Sequence, residues 1–245
     1  MTTSEQRDHR PRRPVLVGPA AADQLVGGAD PAELVQAAHA TAEALVRHGR
    51  SGGDEVAARL VALTDEHGLD EIALLWADRP ADSLPGALWR LYALRAGIRG
   101  QSDLIARAFD AGRHRAPVHE AVAGVADPPG PAEVRALADD VLTGAFVGDL
   151  DVALERAAAF CRVVSTGWAL LADDVAAGGP EDAPDAPDAP DVVRGPSDAA
   201  REPAGAAAVD GGGAAATLTR RASDLLRTGT QLEAAARRWR AGTLH

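Results

Sequence analysis

The side chains that could carry chemistry are few and badly spaced for it. The one cysteine, Cys161, falls between Ala157 and Val164 on an apolar helical stripe, where a thiol behaves as a small buried hydrophobe. A nucleophilic thiol needs exposure and a neighbouring base, and the stripe offers neither. The seven histidines stand at 9, 39, 48, 67, 114, 119 and 245. None repeats at the i, i+4 spacing that turns two imidazoles toward one metal from a helix face. His48 and His67 fall near helix ends, where the helix dipole accounts for them; Pro117 divides His114 from His119. The acids cluster as Asp65-Glu66, Asp139-Asp140, Asp173-Asp174, and Asp149 with Asp151 and Glu155. Sequence neighbours point to different faces of a helix, so these read as solvated faces, with Asp149 as a helix cap. Glu66-His67 and His119-Glu120 lack the Glu-x-x-His spacing of a di-metal bundle. No catalytic residue, metal site or cofactor is expected.

Whole classes of chemistry are missing as well. All 25 basic residues are Arg, and Lys and Asn are absent. Without Lys there is no Walker-type phosphate loop and no Schiff base. No Gly-x-Gly-x-x-Gly fingerprint or Gly-x-Ser-x-Gly elbow occurs. A lone cysteine rules out an internal disulfide and a Cys-based zinc site. The first residues, Met1 to Arg10, have no apolar core and do not read as a secretory signal. No run approaches the ~18 apolar residues of a membrane span. A cytoplasmic protein is expected.

One region invites a partner. Trp89, Arg90, Tyr92, Arg95 and Arg99 place aromatic and guanidinium groups close together, the residue types that dominate binding hot spots. Arg107, Arg113, His114 and Arg115 continue the set. The competing expectation is that Trp89 and Tyr92 pack the core while the Arg side chains pair with acids. The formal net charge of −11 opposes direct nucleic-acid binding, which needs a basic face.

The elements that would position these residues are helical throughout. Ala, Leu and Val supply most of the apolar fraction and aromatics only 3%, a bias toward helix. Residues 1–14 read as a disordered arm. Residues 15–177 read as a helical bundle. Asp30-Pro31-Ala32-Glu33 has the chemistry of a helix start, and Arg47, His48 and Gly49 that of its end. Further helices are expected over 54–67, 70–78 and 84–99 (capped by Ser83), from Ser102 through Phe109, over 117–125 and 131–143, and over 149–177, the last being the longest. Residues 178–213 hold six Pro and seven Gly, with eight acids against two Arg, and repeat Asp-Ala-Pro. They read as a disordered, self-repelling linker.

Residues 214–242 regain a helical pattern. Leu218, Ala222, Leu225, Gly229, Leu232, Ala236 and Trp239 alternate spacings of four and three, a narrow packing seam. Six Arg against Asp224 and Glu233 make this tail basic, whereas the body carries thirteen Arg against twenty-four acids. An isolated helix of this length is marginal in water, so its seam is expected to pack antiparallel on the stripe of 149–177. Salt should loosen such a latch, because exposed charges are screened beyond about 8–10 Å.

At Ser83-Leu-Pro-Gly-Ala-Leu-Trp-Arg-Leu-Tyr92 and at Gly144-Ala-Phe-Val-Gly-Asp149 through Arg162, the chain resembles a group of short all-helical proteins of high-GC bacteria. The likeness extends to Gln24 through Pro31 and to Ala222-Ser-Asp-Leu-Leu-Arg227. Some of these proteins bear the name RNA polymerase β subunit, so the resemblance implies a connection with RNA polymerase. It carries over no functional residues. The sequence is therefore read as an all-α multi-helix bundle closed by a C-terminal helix after a disordered acidic linker. The function expected is that of a non-enzymatic interaction or regulatory protein with a protein partner. A transcription accessory factor and a helical enzyme of unrecognised type are the alternatives.

Overall fold

The computed structural model describes residues 30–67, 75–147, 149–178 and 211–245. The arm at 1–14, the first part of the body, the stretch 68–74 and most of the expected linker lie outside the described residues. The fold is all-α, with no strand among the described residues. Its helices are α1 (Pro31–His67), α2 (Leu84–Gly100), α3 (Ser102–Arg113), α4 (Pro117–Ala123), α5 (Pro131–Val147), α6 (Leu150–Ala176) and α7 (Gly211–Arg240). Residues 75–77 are also helical. They are the described part of the short helix expected over 70–78, and they carry Trp76.

Local chemistry sets three of the helix starts. Asp30 accepts from the Ala32 amide at 2.9 Å ahead of Pro31, which satisfies one of the orphan donors of the first turn. Ser83 accepts from Gly86 N at 3.3 Å and donates to Pro80 O at 2.8 Å, which fixes the entry to α2. Pro131 opens α5, and Glu133 reaches back to the Gly130 amide at 3.1 Å. Asp149 stands at the start of α6, but its side chain makes no capping hydrogen bond. Past the end of α7, Gly242 adopts φ 67°, with Gly242 N bonded to Trp239 O and Thr243 N to Arg238 O. This is the left-handed exit that glycine permits.

Several boundaries differ from those expected, α3 for one running on past Phe109 to Arg113. Gly49 does not end a helix: α1 runs through it for 37 residues and exceeds α6 in length. The glycine serves packing instead, since a methyl there would lie 2.2 Å from the carbonyl oxygen of Phe146 on α5. Gly144 is likewise interior to α5, which continues to Val147. The three glycines at 211–213, expected in the linker, form the first residues of α7.

Helix α6 is the axis of the core, packing against α3, α4, α5 and α7. The crossing with α3 is a backbone contact. A methyl on Gly167 would lie 1.7 Å from Ala108 O, and one on Gly112 2.1 Å from Val163 O. Beside that crossing Phe109 stacks on Phe160, with ring centroids 5.5 Å apart. On the other flank Ala38, Ala42 and Val46 turn one face of α1 inward. Trp76 completes it, donating its indole N–H to the Thr41 hydroxyl at 3.1 Å.

Candidate interaction surface

Cys161 is fully buried, and burial pushes its thiol up to about 12, so at neutral pH it carries almost no thiolate. Among the described residues no three His, Cys, Asp or Glu side chains gather as a metal site. The partly open cleft between Leu91, Ile98, Leu137 and Phe160 holds about 10 Å³, at the lower limit for a single water. No helix among the described residues is long and apolar enough to cross a membrane.

The arginine–aromatic set does not form one surface. Tyr92 is in the core, its ring 6.1 Å from Trp76 and 6.4 Å from Phe146. Arg95 is only 6% exposed, and its Nε donates to Asp139 on α5 at 2.6 Å. Arg99 shares the same carboxylate at 3.1 Å and is exposed, as are Arg107, His114 and Arg115 farther along. Trp89 is half-buried against the core. Arg90 donates to Gln231 on α7 at 2.7 Å and to Gly86 O at 2.8 Å. The helix turns inward at every third or fourth position, so residues adjacent in sequence divide between core, interface and solvent. Arg113 farther along is spent on Asp110, Glu120 and Asp127. These side chains join α2 and α3 to the rest of the molecule.

The C-terminal seam gathers in one place. Leu218, Ala222, Leu225, Leu232 and Ala236 are buried, and Trp239 is half-buried against the core. Their face lies antiparallel along α6. Ser165 donates to Ala222 O at 2.7 Å. A methyl on Gly229 would touch Ala158 O and Cys161 Cβ, both at 3.1 Å. Near the far end, Arg240 donates to Asp151 at 2.7 Å and Glu155 at 2.5 Å. The small residues Ala158, Cys161, Ser165, Ala222 and Gly229 let the two backbones approach.

Charges fix the register. Arg240 bridges two carboxylates one helical turn apart on α6, and its hydrogen bonds hold both Asp151 and Glu155 below the usual carboxylate range. The guanidinium of Arg240 is correspondingly raised by Glu155 and Asp151. Arg162 on α6 pairs with Glu233 on α7. On the second flank Arg238 meets Asp82 at 2.6 Å and lowers that carboxyl, and Arg221 reaches Gln101 at 3.3 Å. Beyond the helix Leu244 is buried, and the His245 carbonyl accepts from Leu84 N at 2.9 Å. Helix α7 is thus clasped between α6 and the start of α2.

Sequence reasoning placed Asp151 and Glu155 on a solvated face. Their i, i+4 spacing opposite a seam that ends in Arg240 was the available signal. Reading it required the antiparallel register, which Ser165 and Ala222 make visible only in three dimensions. No protein-family model, no curated protein and no solved structure matches this chain.

Proposed function

We propose that this chain is a non-enzymatic helical interaction or regulatory protein of the cytoplasm, and that α7 is its working part, a latch closed over α6. The observation that carries this reading is the clasp itself. A basic amphipathic helix lies in a groove of an acidic body, keyed by Arg240 on Asp151 and Glu155 and by Arg162 on Glu233. These pairs sit at the rim, where salt and competing charges reach them. The core beneath is filled by Leu, Ala, Val and Phe side chains, which supports a packing and binding role over a reaction chamber.

Amide hydrogen exchange across 211–240 tests the reading. Exchange there accelerates several-fold between low and high salt while the centre of α5 keeps its protection. Equal protection of α7 at both ionic strengths overturns the electrostatic latch.

A further inference from the structure

The seam under α7 combines close backbone contacts with a row of buried leucines. Its closest contacts come from Ala158, Cys161, Ser165, Ala222 and Gly229, small side chains that bring the backbones together, while Leu218, Leu225 and Leu232 bury the apolar area beside them. The pairing of Ser165 with Ala222 brings the start of α7 alongside the end of α6. Neighbouring helices in a bundle need only about 2–8 connecting residues, yet residues 179–210 intervene between them. One donor beside the seam is also unanswered. Trp168 is 8% exposed, lies one turn from Ser165 on the same face of α6, and its indole N–H meets no acceptor among the described residues. A buried donor without an acceptor is a cost that a better-matched occupant removes.

Resting on the latch reading above, we propose that the face of α6 beneath α7 is a receptor for an amphipathic helix of a partner protein, with α7 as its built-in competitor. The groove specifies the partner's chemistry. A Gly or Ala must sit where Gly229 crosses Ala158 and Cys161. An acid follows one turn later for Arg162, and an Arg eleven residues after the crossing for Asp151 and Glu155. A side-chain acceptor toward the partner helix's start answers Trp168. The occupant is a helix of another protein because the clasp reads side chains at fixed helical spacings, which neither an extended peptide nor a phosphate backbone presents.

Cys161 is the single thiol of the chain, and Gly229 lies against it, so its alkylation reports whether the groove is open. The probe is a fluorescent peptide of residues 213–245, used with the full chain, the full-length Arg240→Gln variant and the Arg240→Gln/Glu233→Gln variant. Helix content by circular dichroism confirms folding. The expected result is alkylation of Cys161 at least tenfold faster in the single variant, and peptide binding to it at least tenfold tighter than to the unaltered chain. A peptide carrying Gly229→Leu and Arg240→Glu does not bind. If alkylation accelerates but the native peptide binds neither variant, the receptor proposal is overturned while the latch stands. If alkylation is unchanged in both variants, the latch falls and the receptor with it. Should the double variant not fold, the single variant decides; should neither fold, excess peptide on the unaltered chain at high salt decides, by faster alkylation or by none.

Discussion

Two glycines of this bundle predict opposite responses to the same substitution. Gly144 lies inside α5, and among the described residues no atom of another element comes within 4 Å of the place of a Cβ. Alanine there meets no obstacle and removes backbone freedom from the unfolded chain, so Gly144→Ala raises stability by about 0.5–1 kcal/mol. Gly167 lies inside α6 with the Ala108 carbonyl 1.7 Å from the same point. Alanine there must push α3 away from α6, and Gly167→Ala lowers stability by about 3 kcal/mol. Urea titrations of the two variants check both signs; a stabilised Gly167→Ala would mean that the helices do not touch through their backbones. A third residue carries a charge instead of a contact. Asp139 accepts from the buried Arg95 and from Arg99. Asp139→Ala withdraws that carboxylate from a guanidinium with little solvent and costs about 1–3 kcal/mol, whereas Asp140→Ala, on the exposed side of the same turn, stays within about 0.5 kcal/mol.

At the scale of elements, the clasp between α6 and α7 gives a pH response with a definite sign. Asp151, Glu155 and Asp82 are all held below their ordinary values by arginines of α7. A carboxyl whose folded pKa is depressed contributes stability that is present above its unfolded value, about 4. That contribution is lost as pH falls through the folded value. Acid below about pH 4 therefore loosens α7 ahead of the apolar core, and amide hydrogen exchange across α7, relative to the intrinsic rate at each pH, runs faster at pH 3.5 than at pH 5. The Arg240→Gln variant loses the largest part of that difference. Much of this element was legible beforehand. Leu218, Leu225 and Leu232 recur at helical spacing, and their face could only be buried. Ser83, Pro31 and Pro131 start helices through local geometry that the sequence shows directly. What was hidden depends on contacts distant in the chain. Gly49 looks like a helix end until Phe146 is seen against it, and Arg95 looks like a surface cation until Asp139 closes over it. Asp151 and Glu155 look solvated until Arg240 arrives from the far end of the chain. A glycine serves equally as terminator and as crossing point, and only the partner element decides which.

For the whole molecule, α7 acts as a closing wall. Its removal exposes Cys161 and Ser165 along α6 and takes Leu218, Leu225, Leu232 and Leu244 out of the core. Each buried Leu contributes about 2 kcal/mol, but ordering a long helix and its tail opposes most of that sum. A net loss of about 3–5 kcal/mol follows. In a chain of this size each 1 kcal/mol moves the melting temperature by about 2–4 °C, so ending the chain at Gly178 lowers it by about 6–20 °C. Charge acts in the same direction. Body and tail together carry nineteen Arg against twenty-six acids, net −7, and the body alone thirteen against twenty-four, net −11, so the self-repulsion of the folded part rises even though the lost linker is itself acidic. The truncated chain should therefore recover more in 0.5 M salt than the complete one gains. It should also bind a hydrophobic dye that the complete chain ignores, because the exposed stripe is apolar and continuous. A truncated chain that melts at the unaltered temperature and stays dark to the dye would mean that α7 lies on the bundle without completing it, and the bundle would then have to be closed by residues outside α7.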